Sequence, residues 1–331
     1  MKALRLHAPG DLRLDDVAAP APGPGEITVR IEAAGICGTD RHLFRSEFPC
    51  TPPVTLGHEF CGIVTAIGDG ETHIAPGDRV TCDPNIACGT CAQCTRGRIH
   101  LCENLCAIGI HRDGGFAEQV AIPAHRAFVL PPSLDPALGA LAEPLACCIH
   151  GVDRGAPLPG ERVLVIGGGV IGLLCVQLAR LAGAHVSLLT RSPDKRALAE
   201  TMGASHTAAT PQAALAECPA GYDLVLECAG VPDTVVAAPA LTARGGRIVV
   251  LGVLAQRAQV SIEPFDLLFR EIDLKTSFLN PFTQGRAADL IASGRLSLAP
   301  LVSRTVPLSR AAAAITEPAA PGDIRVMVVP D

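Results

Sequence analysis

The chain has 331 residues, a length that allows about two domains, and 48% of its residues are hydrophobic against 18% charged. This composition supports large cores and excludes a disordered chain. The net charge of −6 is scattered along the sequence, which argues against nucleic acid or an anionic membrane surface as a partner. No apolar stretch reaches the roughly 18 residues typical of a membrane span.

The first half of the chain, residues 1–150, is predicted to form an antiparallel β domain. Ile27, Val29 and Ile31 alternate with polar residues, as expected for a strand with one wet face. Pro-Gly and Gly-Asp pairs punctuate this half as turns. The opening residues, MKALRLHAPG, lack the apolar segment of a secretory signal, so we expect a cytoplasmic protein with reduced thiols.

A cluster of cysteines lies within this half, with the spacing C-x₂-C-x₂-C-x₇-C: Cys88, Cys91, Cys94 and Cys102. Four thiols so close together can surround one Zn²⁺ tetrahedrally, at about 2.3 Å from each sulfur. Disulfides are the alternative, but they are not favoured in a chain without an export signal. The spacing therefore predicts a structural zinc site.

From about residue 151 onward, short apolar strands alternate with helices. The predicted elements are strands at 163–166, 185–189, 223–227 and 247–251, with helices after the first of these and at 193–202 and 232–242. This alternation indicates βαβ units and a doubly wound parallel sheet of the Rossmann type over residues 151–279. Residues 280–331, with a helix at 285–293, an alanine-rich helix at 311–320 and a strand at 324–329, are expected to return to the first domain.

A glycine fingerprint follows the first of these strands. It has the form G-x-G-x-x-G and comprises Gly167, Gly168, Gly169, Val170, Ile171 and Gly172. Between a strand and a helix, such glycines make a tight turn, admit a pyrophosphate and let the helix pack closely on the strand. We assign Gly252 and Val253, which follow a later strand, to the same cofactor site. The segment predicts that the chain binds a dinucleotide.

The end of the second parallel strand distinguishes the two nicotinamide dinucleotides. An NAD-selective unit places Asp or Glu there, to bind the ribose 2′-hydroxyl. Here the position falls on Thr190, followed by Arg191 and Ser192, with Arg196 on the next helix. Hydroxyls and guanidinium groups suit a 2′-phosphate, so this turn favours NADP over NAD.

Further motifs appear at 35–42 (GICGTDRH), 57–62 (GHEFCG) and 142–145 (AEPL). Together with the cysteine cluster and the glycine fingerprint, and in this order, they resemble the zinc-dependent medium-chain alcohol and polyol dehydrogenases. The likeness is to the branch of sorbitol and threonine dehydrogenases and covers essentially the whole chain. It implies a GroES-like catalytic domain, residues 1–150 and 280–331, beside the Rossmann domain. One departure is Glu71, where the family usually has an apolar residue.

The resemblance implies a catalytic zinc held by Cys37, His58 and Glu143, whereas simple alcohol dehydrogenases have a cysteine in place of this glutamate. The neighbouring Glu59 is implied either to coordinate the metal transiently or to bind its water. Taken singly, a buried thiol at Cys37 and a helix-start carboxylate at Glu143 are the simpler interpretations. The order of the motifs favours the metal site, and with the structural site it implies two zinc ions per chain.

The same resemblance implies roles for a hydroxyl and an imidazole near the metal. Thr39 would accept the proton of the substrate alcohol, and His42 would pass it on toward solvent. Phe44 and Asn280 are assigned to the substrate pocket, with the Asn280 amide available to a substrate hydroxyl.

The activity implied is hydride transfer between a secondary alcohol, in the first place a polyol or sugar alcohol, and NADP. An NAD-dependent enzyme of the threonine or butanediol dehydrogenase type is the alternative, and a catalytically silent sensor of zinc and dinucleotide is a remote one. The partners expected are a small-molecule alcohol or ketone and copies of the same chain, in a homodimer or homotetramer. Neither nucleic acid nor a membrane is expected as a partner.

Overall fold

A computed structural model describes residues 1–70 and 72–331, so Glu71 lies outside the described residues. The chain divides into two compact units. The first unit comprises Met1–Pro144 and Asn280–Asp331, and the second unit comprises Leu145–Leu279. Within the described residues, no helix combines the length and the apolar character needed to cross a membrane.

The amino-terminal part of the first unit consists mainly of short strands. The strands are β1 (Lys2–Ala8), β2 (Asp11–Asp16), β3 (Glu26–Gly35), β4 (Val54–Thr55), β5 (Glu59–Ile67), β6 (Arg79–Cys82), β7 (Asn85–Ile86), β8 (Cys106–Ala107), β9 (Gln119–Pro123) and β10 (Ala127–Leu130). The helices are α1 (Gly38–Phe44) and α2 (Pro136–Gly139), with single 3₁₀ turns at Cys94–Arg96, Ile99–Leu101 and Ala124–Arg126. Strand β3 lies inside its sheet, between β5 and β9, so Thr28 is buried together with its apolar neighbours.

The second unit is a doubly wound α/β domain, as the sequence predicts. Its helices are α3 (Ala142–Gly155), whose first turn belongs to the first unit, α4 (Val170–Leu181), α5 (Pro193–Thr201), α6 (Pro211–Glu217), α7 (Pro232–Leu241) and α8 (Pro264–Arg270). Its strands are β11 (Arg162–Ile166), β12 (His185–Leu189), β13 (His206–Ala208), β14 (Tyr222–Glu227), β15 (Thr242–Val250) and β16 (Asp273–Thr276). All pairs are parallel, in the order β13-β12-β11-β14-β15-β16. The strand order therefore reverses between β11 and β14, where sheets of this kind bind their ligands.

The end of the chain completes the first unit. It contributes α9 (Gln284–Ala292), β17 (Val302–Pro307), α10 (Ala311–Thr316) and β18 (Arg325–Val329), with 3₁₀ turns at Ala299–Leu301 and Leu308–Arg310. Helix α10 is shorter than the predicted 311–320, because Glu317 precedes Pro318 and takes the extended backbone that a following proline imposes. Strand β18 pairs antiparallel with the last residues of β3, so this end of β3 lies between β18 and β5. The first half of β3 lies between β9 and β5.

This pairing sets the position of the candidate site. Gly35, the last residue of β3, pairs with Glu59 on one side and Met327 on the other. The segments that follow β3, begin β5 and begin β18 therefore meet at one edge of the sheet. The apolar faces of these strands and the side chains of Phe60 and Phe116 form the core beneath them.

Candidate metal and dinucleotide sites

A cluster of three potential metal ligands forms at this edge of the sheet: Cys37, His58 and Glu59. One ligand atom from each residue lies within 4.8 Å of the others. Cys37 is the residue that precedes helix α1. His58 lies just before β5 begins, so its side chain does not follow the alternating inward and outward orientation of the strand residues. A thiolate, an imidazole and a carboxylate together form a donor set that suits Zn²⁺ and leaves a fourth position open.

Two charged side chains hold the ligands from behind. Asp40, fully buried, accepts a hydrogen bond from the Cys37 backbone N–H at 2.8 Å, and its other oxygen lies 3.7 Å from His58 Nδ1. This arrangement leaves Nε2 as the ring nitrogen available to a metal. Arg325 at the start of β18 binds Glu59 Oε1 at 3.1 Å and also donates to the Ile36 carbonyl.

The cluster fits a cation by its charge and by its unsatisfied atoms. Glu59 is only 1% exposed, and its Oε2 atom has no hydrogen-bond partner among the described residues. Burial by itself disfavours the charged imidazole of His58, but the nearby Cys37, Asp40 and Glu143 outweigh it and raise the His58 pKa well above its ordinary value. An excess of negative charge thus surrounds His58, and a buried oxygen without a partner is costly. A bound metal cation would relieve both.

Glu143 lies close to this cluster but is not one of its three members. It is buried in the first turn of α3, and its charge contributes to raising the pKa of His58 and of Arg325. The ligand set implied by the family resemblance contains Glu143, with Glu59 as a transient member. In the structure it is the Glu59 carboxylate that lies within 4.8 Å of the other ligand atoms.

The four cysteines form the second cluster. The sulfurs of Cys88, Cys91, Cys94 and Cys102 all lie within 4.8 Å of one another, and none of the four is in a disulfide. Backbone N–H groups point at these sulfurs, from Cys91 to Cys88 at 3.4 Å and from Cys88 and Asn104 to Cys102, each at 3.3 Å. The chain between them turns tightly in two 3₁₀ segments.

The backbone N–H groups also set the charge of this second cluster. Those of Thr90 and Cys91 lower the pKa of Cys88 to about 5, while burial and the adjacent Cys91 sulfur raise the pKa of Cys94 to about 12. Thiolates are the form that binds metal, and tetrahedral sulfur sites favour zinc or iron. We call residues 88–102 the cysteine lobe.

The glycine fingerprint lies where the second unit reverses its strand order. Gly167 follows β11 with φ of 110°, a conformation that side chains disfavour. A Cβ atom on Gly172 would stand 1.8 Å from the Gly167 carbonyl oxygen, so α4 packs on the turn only because this residue is glycine. A Cβ on Gly169 would meet nothing within 4 Å. The start of α4, with Val170 and Ile171, therefore has the open approach that a pyrophosphate needs.

The turn after β12 lies against this loop. A Cβ on Gly168 would come within 3.1 Å of Thr190 Oγ1, which places the turn beside the fingerprint. Arg196 donates to the carbonyl oxygens of Thr190 and Arg191, both at 2.9 Å, and Ser192 caps α5. Arg191 itself is exposed. Arg196 thus holds the turn in place, while the Arg191 guanidinium faces solvent.

Comparisons with known proteins match both halves of the chain. The profile of the alcohol dehydrogenase GroES-like domain matches residues 23–132, and that of the zinc-binding dehydrogenases matches residues 170–293. L-threonine 3-dehydrogenase of Idiomarina loihiensis is 32% identical over 93% of this chain and 93% of its own length. The chain belongs to the zinc-dependent medium-chain alcohol dehydrogenase family. Threonine and sorbitol dehydrogenases are among the proteins it is similar to, and the protein is a zinc-dependent oxidoreductase of this type.

Two further relatives of this dehydrogenase cover nearly its full length. Sorbitol dehydrogenase of Gallus gallus is 35% identical over 93% of this chain and 90% of the relative. A protein from Sinorhizobium meliloti 1021, whose crystal structure contains NADP, is 53% identical in sequence to this chain. The match covers 99% of each chain, and the two structures superimpose with a TM-score of 0.97. These relatives confirm the fold: a GroES-like domain and a Rossmann domain.

The residues expected to move the proton lie on helix α1 of the dehydrogenase. Thr39 Oγ1 is 3.6 Å from Cys37 Sγ, beside the first metal cluster, and the side chain is partly exposed. His42 lies one turn further along the helix, and its Nδ1 is 2.6 Å from the carboxylate of Glu47. Thr39 is therefore next to a candidate metal ligand, whereas the His42 imidazole is held by a surface carboxylate.

The two residues expected in the substrate pocket are both packed into the first unit. Phe44 is partly buried against its hydrophobic core. Asn280 is 1% exposed, accepts a hydrogen bond from Asn85 Nδ2 at 2.7 Å and donates to Gln284 Oε1 at 3.0 Å. Gln284 in turn donates to the Cys82 carbonyl. The Asn280 amide is engaged within the protein on both sides, whereas the sequence analysis assigned it to a substrate hydroxyl.

Two residues that contact the first metal cluster were not among those predicted: Asp40 and Arg325. Asp40 follows Thr39 directly, and its burial depends on α1 packing against the His58 segment. Arg325 opens a strand that is otherwise wholly apolar, RVMVV, and a charged residue in such a run is the one signal the sequence offers. Its partner Glu59 is far away in sequence, so the pair follows only from the pairing of β18 and β5 with β3.

Proposed function

We propose that this dehydrogenase transfers a hydride between a secondary alcohol, of the polyol or sugar-alcohol class, and NADP. The observation that carries the choice of cofactor is the 190–192 turn beside the glycine fingerprint, which has no carboxylate and an exposed guanidinium. A 2′-phosphate would meet the hydroxyls of Thr190 and Ser192 and the charge of Arg191, in place of the Asp or Glu that an NAD site requires. NADP in the related Sinorhizobium meliloti structure supports the same choice.

The dinucleotide would lie along the start of α4. The open space at Gly169 and the N–H groups of Val170 and Ile171 suit its pyrophosphate. Gly252 and Val253 follow β15, which is separated from β11 and its fingerprint by β14, and the Val253 side chain is 62% exposed. We infer that these two residues contact the cofactor as well. Arg196 would act indirectly, by fixing the carbonyls of the turn that carries Arg191.

The catalytic zinc would be held by Cys37, His58 and Glu59, with Glu143 as a second carboxylate beside it. Zinc held there would supply a Lewis acid for the substrate oxygen, and the oxidised dinucleotide would supply the hydride acceptor. One thiolate and one carboxylate would neutralise the dication, and the Glu59 carboxylate also forms an ion pair with Arg325. The structural zinc would be held in the cysteine lobe by Cys88, Cys91, Cys94 and Cys102.

The protein's own residues would then transfer the proton. Oxidation of the alcohol to a ketone releases one hydride and one proton, and the proton must reach solvent. We infer that the Thr39 hydroxyl accepts a hydrogen bond from the substrate hydroxyl and begins the relay. His42, partly exposed and oriented by Glu47, is suited to deliver the proton to water because imidazole exchanges protons near neutral pH.

A threonine dehydrogenase is the second candidate, since several of the curated relatives are L-threonine 3-dehydrogenases at 32–35% identity. Both candidates use the same zinc chemistry on a secondary hydroxyl. They differ in the substrate, which carries an amino and a carboxylate group in one case and further hydroxyls in the other. We further propose a homodimer or homotetramer, which light scattering of the purified protein tests.

The test is nicotinamide reduction by zinc-loaded protein on a panel of sugar alcohols, diols and threonine, with NADP⁺ and NAD⁺ in parallel. The proposal predicts turnover of a polyol and a higher kcat/KM with NADP⁺. Turnover of threonine alone establishes the second candidate. A preference for NAD⁺ contradicts the assignment of the 190–192 turn.

Arg191→Ala sharpens the cofactor test. Losing a charge-assisted contact worth about 1.5–3 kcal/mol lowers kcat/KM for NADP⁺ by roughly 10–100-fold, and kcat/KM for NAD⁺ stays unchanged. Arg180→Ala is the matched control: it also removes an exposed arginine of the second unit, but at the far end of α4. An equal loss in both variants, or an equal loss with both cofactors, would show that Arg191 does not read the 2′-phosphate.

A further inference from the structure

Glu227 is a buried carboxylate that neither the metal chemistry nor the glycine fingerprint uses. It is the last residue of β14 and is 0% exposed. Strand β14 lies next to β11 at the point where the strand order of the second unit reverses. Glu227 therefore lies at the edge of the sheet where β11 ends and the turn at Gly167 begins.

One oxygen of Glu227 organises the turn that follows β14. Its Oε1 atom accepts hydrogen bonds from the backbone N–H groups of Ala229 at 2.8 Å and Gly230 at 3.0 Å. The same atom accepts a hydrogen bond from Thr234 Oγ1 at 2.8 Å, on helix α7. Three donors on one ionised oxygen are stronger than neutral hydrogen bonds, so the turn at 228–231 is tightly held.

The same residue reaches the turn that follows β15. The Glu227 carbonyl oxygen accepts from the N–H groups of Leu251 at 2.8 Å and Gly252 at 2.9 Å. A Cβ on Gly252 would stand 2.7 Å from Glu227 Oε2 and 2.2 Å from the Gly230 nitrogen, so the two turns touch at these atoms. Oε2 has no hydrogen-bond partner among the described residues.

The 228–231 turn in turn contacts the glycine fingerprint. A Cβ on Gly167 would come within 2.9 Å of the Ala229 nitrogen, and the Cys228 N–H donates to the Ile166 carbonyl at 2.8 Å. Glu227 thus links two turns, at 228–231 and 251–253, that lie at the same edge of the sheet as the glycine fingerprint. Burying a carboxylate is costly, and a parallel strand does not require one at its end.

We propose that Glu227 is a positioning residue for the dinucleotide: it holds the 228–231 and 251–253 turns beside the glycine fingerprint in the conformation that binds the cofactor. This inference rests on the proposed function, because it presupposes that the second unit binds NADPH. Glu227 acts through the two turns and does not itself touch the cofactor.

The experiment measures the Kd for NADPH by its fluorescence, together with the Tm and the zinc content, in the wild type and four variants. Glu227→Ala removes all three hydrogen bonds of Oε1 and is expected to raise the Kd by about tenfold or more, the equivalent of at least one net hydrogen bond. Glu227→Gln keeps an accepting oxygen and is expected to stay within about threefold of the wild type. In Glu227→Ala, KM for NADP⁺ should rise while KM for the alcohol at saturating cofactor stays constant.

Thr242→Val is the matched control for a purely structural effect. Thr242 is 1% exposed and donates a hydrogen bond to the Ala238 carbonyl at 2.8 Å, at the opposite end of β15. Its loss is expected to lower the Tm without changing the Kd for NADPH. If Glu227→Ala lowers the Tm but keeps the wild-type Kd, the residue is structural only and the inference is overturned.

Thr234→Val keeps the inference testable where Glu227→Ala does not fold. It removes one of the three donors and is expected to raise the Kd by roughly threefold, within the range of a single weak hydrogen bond. An unchanged Kd in this variant overturns the inference. Failure of the wild type to bind either NADPH or NADH is a different outcome, because it overturns the proposed function itself.

Discussion

The two candidate metal clusters of the first unit are built in opposite ways. The cysteine lobe takes all its ligands from residues 88–102, and its sulfurs are held mainly by nearby backbone N–H groups, with Cys88 exposed. The Cys37, His58 and Glu59 cluster joins two separate segments of the chain and is supported by a third, β18. His58 and Glu59 are almost completely buried.

This difference supports the proposal of a structural role for the lobe and a chemical role for the buried cluster. In the lobe, backbone N–H groups lower the pKa of Cys88 and of Cys91, and four sulfurs can complete a tetrahedral coordination sphere. In the other cluster three ligand atoms leave room for a further ligand, and charged side chains behind them fix their orientation. A ligand set that is incomplete, buried and supported in this way is the arrangement expected of a catalytic metal.

The largest effect is expected from removing a ligand of the buried cluster. Glu59→Gln should lower the zinc content from two ions to one per chain and reduce turnover by about 1,000-fold or more, because a Lewis-acid metal contributes several kcal/mol. Glu143→Gln is the matched comparison and should keep both ions, with a loss of roughly 10–100-fold in activity. Elemental analysis and initial rates measure both. The reverse pattern would place Glu143, not Glu59, on the metal.

Breaking the support behind Glu59 should reduce stability. Arg325 is 5% exposed and pairs with Glu59 at 3.1 Å, so Arg325→Met leaves a buried carboxylate without its partner. The free energy of unfolding should fall by about 3–5 kcal/mol. Arg304→Met breaks a pair with Asp323 whose arginine is 43% exposed, and should cost only about 0–1 kcal/mol. Equal costs in urea unfolding would mean that the Arg325 pair is no more buried in solution than the Arg304 pair.

A smaller loss is expected at Asp40, which orients His58 and Cys37 without being one of the three ligands. Asp40→Asn removes the charge that faces His58 Nδ1 and should weaken zinc binding at this cluster by about 10–100-fold. Competition with a chelator measures the affinity, and the zinc of the cysteine lobe serves as an internal control. Unchanged affinity at both sites would show that Asp40 contributes only to the folding of α1.

The smallest effect separates substrate binding from internal packing at Asn280. Asn280→Ala leaves the Asn85 and Gln284 amides without their partner, so the free energy of unfolding should fall by about 1–3 kcal/mol. The KM for a hexitol and for a simple secondary alcohol should change equally. A selective rise in KM for the hexitol, at unchanged stability, would instead restore the role in substrate binding that the sequence suggested.

The features that could be predicted from the sequence depend on neighbouring residues. Strand β12 spans the predicted 185–189, and helices α5, α7 and α9 agree with their predicted ranges to within one residue at each end. The cysteine spacing likewise predicts a compact group of sulfurs, which the structure contains. In each case the pattern and the contact lie within one short segment of chain.

What could not be predicted depends on contacts across the fold. Arg325 donates to Ile36 across 289 residues, and Asn85 donates to Asn280 across 195. Arg325 reaches Ile36 through the pairing of β18 with β3, and Asn85 reaches Asn280 through a contact between distant segments of the first unit. No local pattern reports either contact. For the same reason Asn280 was expected to face a substrate, although its amide is satisfied inside the first unit. In the sequence, Glu227 looks like an ordinary residue at the end of a strand. Its three hydrogen-bond donors are found only in the structure.

The central claim is that one cluster serves chemistry and the other serves structure. Zinc content and NADP⁺ reduction, measured side by side in the wild type, Glu59→Gln and Cys94→Ser, test it most directly. The account predicts two zinc ions in the wild type and one in each variant, with turnover per folded chain retained in Cys94→Ser and lost in Glu59→Gln. A folded Cys94→Ser protein without turnover, beside an active Glu59→Gln protein, would contradict it.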